Sequence, residues 1–338
     1  MSTIRDFAHR LPKAELHVHL EGTLEPEMKF ELAQRNGIQL PENSPEEVKA
    51  KYDFNDLPSF LAAYYPAMDV LRTARDFRDL AYAYLQRAAE QGVVHVEMFF
   101  DPQAHTSRGV PFADVIGGYR QGLLAARRDL GISAELILCM LRDFTAEHAM
   151  STLMEALDYK DWIIGIGLDS DEHGHPPEKF TEVFSRARQE GFQLTMHCDV
   201  DQENSIGNIR TVLQEIGVDR VDHGTNVLED AALVDRAVEQ GIGFTACPLS
   251  NTYVAGHTKG SDIAELLRRG AKVTVNSDDP AYFGGYIGDN YAALAERDGF
   301  SREQLAQIAR NSFEVSWISE SRRQSFLQRL EEFVSAQG

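Results

Sequence analysis

The stretch Ala14-Glu-Leu-His-Val-His-Leu20 reads as a short β-strand with two imidazoles near its C-terminal end. Side chains alternate along a strand, so His17 and His19 point to one side while Val18 faces the other. Seven further apolar or β-branched runs follow, at 93–100, 134–141, 162–168, 192–198, 218–222, 243–247 and 272–277. Longer amphipathic stretches separate them, the pattern of parallel strands joined by helices. Eight such strands, with no linker or low-complexity tract between them, predict a single α/β domain over 1–338, a (β/α)8 TIM-type barrel. Residues 26–91 are too many for one crossover and read as several helices, the last opening at Thr73, that form a lid or flank. Two more helices, over 302–312 and 321–334, are expected on the outside.

Composition narrows the partners. With 43% hydrophobic and 25% charged residues in 338, the chain has the makeup of an ordinary globular protein. A formal net charge of −20 argues against nucleic acid or an anionic membrane as partner and leaves a small neutral or cationic ligand compatible. Cys139, Cys198 and Cys247 are scattered singly through apolar segments, which suits a reducing compartment. The opening Met1-Ser-Thr-Ile-Arg-Asp lacks the apolar stretch of a signal peptide, so a cytoplasmic location is expected.

In a barrel the C-terminal strand ends meet over one mouth. That brings His197, ending the fifth strand, and Asp278, following the eighth, towards His17 and His19. Three histidines and one aspartate suit zinc with a position left open for water. A single buried histidine is more often a hydrogen-bonded core residue than a ligand, but four candidates at strand ends favour a metal. His223, in Val221-Asp-His-Gly, also falls at the rim and is a candidate base or electrostatic partner for a metal-activated water. In the pair Asp278-Asp279 the alternating directions let Asp278 meet metal while Asp279 bonds substrate, although adjacent acids are common in ordinary turns.

Leu11-Pro-Lys-Ala-Glu-Leu-His-Val-His-Leu-Glu-Gly-Thr-Leu resembles the opening motif of the adenosine and adenine deaminase family. The resemblance continues, in order, through Gly167-Leu-Asp, His197, Asp222-His-Gly, Cys247-Pro-Leu-Ser-Asn and Ser277-Asp-Asp-Pro. It implies a mononuclear zinc barrel in which water adds to C6 of a purine, ammonia or an amine leaves, and a 6-oxopurine forms. It also implies His17, His19, His197 and Asp278 as metal ligands, with His223 and Asp278 in the catalytic set. Asp279 matches the residue that bonds the purine N7, and Gly167 the strand-four glycine whose backbone faces N3. No lysine ends strand four, as binuclear relatives require, so one zinc per chain is expected. Phe99-Phe-Asp-Pro-Gln, Gly167-Leu-Asp-Ser and Asp278-Asp-Pro-Ala-Tyr-Phe-Gly-Gly-Tyr resemble the adenine branch and favour a free base as substrate.

One departure stands out. The family has His-Ala-Gly-Glu after strand five, and its glutamate protonates the ring; here the sequence is His197-Cys-Asp-Val200, and valine cannot donate a proton. From His197 to His223 is 26 positions, slightly longer than the family spacing, so a re-routed loop is expected to bring Asp201 or Glu203 to the acid's place. Acids at an ordinary helix N-terminus are the competing explanation for both. An N6-substituted adenine fits a reshaped loop beside C6. Two other readings remain at this stage: a purine-binding protein without catalysis, and a deaminase of a pyrimidine- or pterin-like amine, prompted by the likeness of His-Cys-Asp to cytosine deaminases.

Overall fold

The computed structural model describes residues 3–198 and 204–337. Eight strands run parallel in sequence order: β1 (Lys13–Glu15), β2 (Val93–Phe100), β3 (Ser133–Leu141), β4 (Ile163–Asp169), β5 (Gln193–Cys198), β6 (Arg220–His223), β7 (Gly243–Ala246) and β8 (Lys272–Val275). With helices around them they form the (β/α)8 barrel that the sequence pattern predicts. Boundaries differ from expectation by one or two residues at most strands. The register pairs His197 with Asp222, and Cys198 with His223, at the C-terminal rim.

The first strand differs more. The ladder to β2 covers only Lys13–Glu15, and beyond it the chain makes single pairings, Val18 with Asp278 and His19 with Phe99. Side chains take over the backbone's partners at this seam. Ala14 N donates to Ser312 Oγ at 2.9 Å and Leu16 N to Asn276 Oδ1 at 2.8 Å. The backbone closes the barrel above them, where Asp278 N donates to His17 O at 3.1 Å and His19 N to Asp278 O at 3.0 Å.

Beneath the rim the barrel interior is polar in places where a hydrophobic plug is common. Arg220, at the start of β6, pairs with Glu97 Oε2 at 2.6 Å, and its guanidinium lies 4.0 Å from the Trp317 ring. Two buried charges this close are held by mutual attraction and further hydrogen bonds, without which burial would be costly. Trp317 N donates to Glu97 Oε1 at 2.5 Å.

The segment between β1 and β2 forms helices Pro26–Asn36, Pro45–Lys49, Leu57–Ala67 and Ala74–Glu90. Their starts carry local signals: Asp56 with Ser59, and Thr73 with Asp76, form reciprocal capping boxes. Helix Leu57–Ala67 packs aromatic residues against the chain after β8, with Phe60 and Phe283 centroids 4.8 Å apart and Tyr64 and Tyr282 5.6 Å apart. It therefore covers the mouth of the barrel as a lid. At the C-terminus, helices Arg302–Glu314 and Glu320–Gln337 pack outside, where Phe326 meets Phe313 and Phe333 meets Phe7.

Candidate active site

The imidazoles of His17, His19 and His197 converge at the bottom of the pocket under the lid. His17 Nδ1 donates to Thr245 Oγ1 on β7 at 2.7 Å, and Thr245 Oγ1 in turn donates to Asp222 Oδ1 at 2.9 Å. His197 Nδ1 donates to the carbonyl of Leu168 at 3.0 Å. Nδ1 of His19 faces Asp169 Oδ2 at 3.4 Å. Nδ1 of His17 and of His197 is thus engaged on the outside, which leaves their Nε2 pointing inward, while His19 Nδ1 has only the longer approach of Asp169.

Those inward nitrogens crowd each other. His197 Nε2 lies 3.1 Å from Nε2 of both His17 and His19, and Asp278 Oδ1 lies 3.2 Å from His17 Nε2 and 3.4 Å from His19 Nε2. A tetrahedral zinc ion with ligand bonds of about 2.0–2.1 Å requires donor-to-donor edges of about 3.3–3.4 Å. The observed spacings match that edge length to within a few tenths of an ångström. Burial pushes His17 down to about 4 and holds His197 well below the ordinary imidazole range, so both are neutral donors at neutral pH. Neutral lone pairs at 3.1 Å repel, and a cation among them converts repulsion into ligation. The residues present therefore fit a divalent metal. A second grouping, of His17, His197, His223 and Asp278, has its donor atoms within 4.8 Å of one another.

His223 ends β6 with its Nε2 3.8 Å from Asp278 Oδ2. Both residues have left-handed backbone, φ +57° at His223 and +64° at Asp278. Non-glycine residues hold such conformations at a cost on the order of 1–3 kcal/mol, and they cluster at functional sites. The surrounding residues hold them there. Glu15 accepts from Ser277 N at 3.0 Å, Ser277 Oγ at 2.5 Å and Tyr84 OH at 2.6 Å, which anchors the turn just before Asp278. Arg142, fully buried after β3, donates to the carbonyl of His197 at 2.9 Å.

Asp279 lines the pocket beside the histidine cluster, and burial together with Asp278 holds its carboxyl well above the usual range. It sits over Gly22. A Cβ on Gly22 would lie 1.9 Å from Asp279 Oδ1 and 2.8 Å from its Cα, so only glycine lets the two chains approach this closely. Gly167 lies deeper than the pocket, in β4, where a Cβ would meet Cys139 Sγ at 2.5 Å. The strand-four residues that do line the pocket are Asp169 and Ser170, the latter with φ +73°. Tyr65 of the lid donates to Ser170 Oγ at 2.8 Å. Val200, Asp201 and Glu203 lie outside the described residues.

Several residues at the site were not singled out as functional from sequence: Thr245, Asp222, Gly22, Ser170 and Tyr65, together with Asp101 after β2 and Asp169. Asp101 and Asp169 are buried carboxyls, and burial holds Asp101 well above its usual range and Asp169 up at about 7. Glu21 fixes the backbone of Asp101, accepting from Asp101 N at 3.4 Å as well as from His105 Nε2 and Tyr119 OH at 2.8 Å each.

Comparison with known proteins agrees with this geometry. The adenosine deaminase family model matches residues 12–333. An adenine deaminase of Rhodospirillum rubrum is 48% identical over 326 residues, covering 96% of this chain and 97% of its own. Among solved structures, an adenine deaminase of Arthrobacter aurescens superposes with a TM-score of 0.92 at 43% identity, covering 96% of this chain and 99% of its own. A zinc-bound amidohydrolase of Burkholderia ambifaria superposes with a TM-score of 0.87 at 27% identity, covering 99% and 95% of the two chains. With the family model spanning nearly the whole barrel and the family's histidines and aspartates converging under its lid, the chain belongs to the adenosine deaminase family.

Proposed function

We propose that this protein hydrolyses the bond between C6 and the exocyclic nitrogen of an adenine-like free base, adenine or an N6-substituted adenine. The products are a 6-oxopurine and ammonia or an amine. The observation that carries the reading is the set of three inward Nε2 atoms and one carboxylate oxygen at tetrahedral edge spacing, at the bottom of a lidded pocket. His17, His19, His197 and Asp278 would hold one zinc ion, which when bound brings the ionisation of a water ligand towards neutral pH. The identities of the relatives, adenine deaminases of Rhodospirillum rubrum and Arthrobacter aurescens, support an adenine-like substrate.

The protein's own residues do the rest. His223 takes the proton of the attacking water and holds it for the departing nitrogen, as its place beside Asp278 Oδ2 allows. Asp279 holds the purine at N7 and turns C6 towards the three histidines. Ring protonation makes C6 electrophilic, and the donors proposed for it are Glu203 and Asp201, since Val200 occupies the usual acid's position. The lid excludes bulk water from the pocket.

Metal analysis of the purified protein, followed by turnover assays with adenine, adenosine and N6-alkyladenines, tests this. Conversion of at least one 6-aminopurine by protein carrying one zinc is expected, and failure on all of them with zinc bound would sink it. Val200 also favours a second reading, a purine-binding protein without turnover. In that case a purine binds the zinc-loaded protein tightly and is recovered unchanged.

A further inference from the structure

Asp169 lies on the Nδ1 side of His19 and Asp278, which precedes Asp279, on its Nε2 side. Asp101, Asp169 and His19 together form one group whose donor atoms lie within 4.8 Å of one another, and His19, Asp278 and Asp279 form another. Asp101 and Asp169 line the pocket, 1% and 3% exposed. Their oxygens are conspicuous for what they do not bond. Asp101 Oδ1 and both side-chain oxygens of Asp169 are buried and accept from no N–H or hydroxyl donor among the described residues; the two carboxyls face each other, and Asp169 also faces the Cys139 thiol. Asp169 Oδ2 faces His19 Nδ1 at 3.4 Å, outside hydrogen-bond geometry. Among the other buried carboxyls of this barrel, Glu15 accepts from three donors and Asp222 from two threonine hydroxyls, while Glu21 Oε1 takes three donors and leaves Oε2 without one, and in the pocket Asp279 Oδ1 also has none. Buried polar atoms are ordinarily paired, so three orphaned acceptors on one pocket wall mark a place where a ligand supplies the donors.

We propose that Asp101 and Asp169 recognise the imidazole N–H edge of an unsubstituted purine, and so select a free base against its N9-ribosyl and N9-alkyl forms. The inference rests on the deamination reading for the orientation of the base, with C6 towards the histidines and N7 towards Asp279. The edge that remains for the opposite wall carries N9. In a free base N9 brings an N–H, the donor that the two carboxyls lack. In a nucleoside it brings a C–N bond, and the acceptors stay desolvated and unpaired. A site built to bond a substrate N–H rejects an analogue without it far more strongly than a site that merely fits its shape, by about 10⁴–10⁵ in the best cases. The hydrogen bond from Tyr65 to Ser170, next to Asp169, ties the lid to this same wall.

The decisive comparison is adenine against 9-methyladenine, which removes the N–H while adding little bulk. In the zinc-loaded wild type, kcat/KM for 9-methyladenine is expected to be lower by at least about 10³-fold. Asp101→Ala and Asp169→Ala should each lower kcat/KM for adenine, mainly through KM, and leave 9-methyladenine nearly unchanged, so that the discrimination collapses. Zinc content should stay at one per chain. Equal losses for both substrates would show that the carboxyls only support the fold, and a wild type that accepts both bases alike would also overturn the proposal. A second metal equivalent that disappears in these variants would make the cluster a cation site instead. Calorimetric binding of hypoxanthine against 9-methylhypoxanthine makes the same comparison without turnover. A wild type that deaminates nothing yet prefers hypoxanthine would refute the deaminase reading and leave this inference standing.

Discussion

The wall of the pocket built from β1, β5, β6, β7 and β8 and the wall built from β2 and β4 use carboxyls in opposite ways. On the first, Asp222 accepts from Thr195 and Thr245, and Thr245 in turn receives His17 Nδ1. On the second, Asp101 Oδ1 and both Asp169 oxygens accept from no N–H or hydroxyl donor among the described residues, a condition that only Asp279 Oδ1 shares among the pocket-lining carboxyls of the first. A saturated buried network is rigid, because any movement breaks bonds that water cannot replace. Such a network suits a metal site, whose ligands must be held at fixed spacing before the ion arrives. Unsaturated acceptors suit substrate, which brings its own donors. On the proposed function, the first wall would hold the metal and the second would choose the base.

The largest effect should come from breaking the first wall at its centre. Replacing His197 by Ala removes the nitrogen that lies 3.1 Å from two others. Zinc content should fall to near zero and deamination should drop by more than the 10–100-fold typical of changes to residues that only support a ligand. Elemental analysis and turnover assays measure both. His223→Ala should retain zinc yet lose about 10²–10⁴-fold in kcat, the contribution of a positioned acid–base group. Loss of zinc in that variant would move His223 from proton handling to ligation, consistent with its place in the alternative donor grouping.

Asp222→Asn gives a smaller effect on the same wall. An amide in this position cannot accept equally from both Thr195 and Thr245, so His17 loses the chain of bonds that orients its ring. Zinc affinity should weaken by about 10–100-fold, read by competition with a chelator. If affinity is unchanged, the threonines alone orient His17 and the saturated network is not what holds the metal.

Much of the first wall was legible in the sequence, because a strand's period of two places His17 and His19 on one side and barrel topology brings strand ends together. Its supports were not. Asp222 and Thr245 belong to short buried strands in which any polar residue looks like a boundary, and nothing local says that they touch each other across the barrel. The seam at β1 is hidden for the same reason: Ser312 and Asn276, which replace its backbone partners, lie some 300 and 260 positions away. Gly22 reads as an ordinary turn glycine until the approach of Asp279 is seen. The second wall was the least legible. Asp101 and Asp169 stand inside Phe99-Phe-Asp-Pro-Gln and Gly167-Leu-Asp-Ser, yet a missing partner is a property of three-dimensional surroundings and leaves no mark in a motif. Only the barrel shows that the neighbours of those carboxyls are a pocket.

The smallest expected effect is at the lid, and it sharpens the comparison from the second wall. Tyr65 and Ser170 make one hydrogen bond between helix Leu57–Ala67 and the end of β4, beside Asp169. Tyr65→Phe removes that bond and keeps the ring, at a net loss of about 0.5–1.5 kcal/mol, or about 2- to 10-fold in an equilibrium. Since the bond joins the lid to the substrate-choosing wall and touches none of the metal-binding nitrogens, the loss should appear as a raised KM with kcat and zinc content unchanged. Steady-state kinetics on adenine separates the outcomes. A fall in kcat with KM preserved would mean that lid closure positions the reacting atoms, and the division between a metal-holding wall and a base-choosing wall would then fail at the point where the lid joins them.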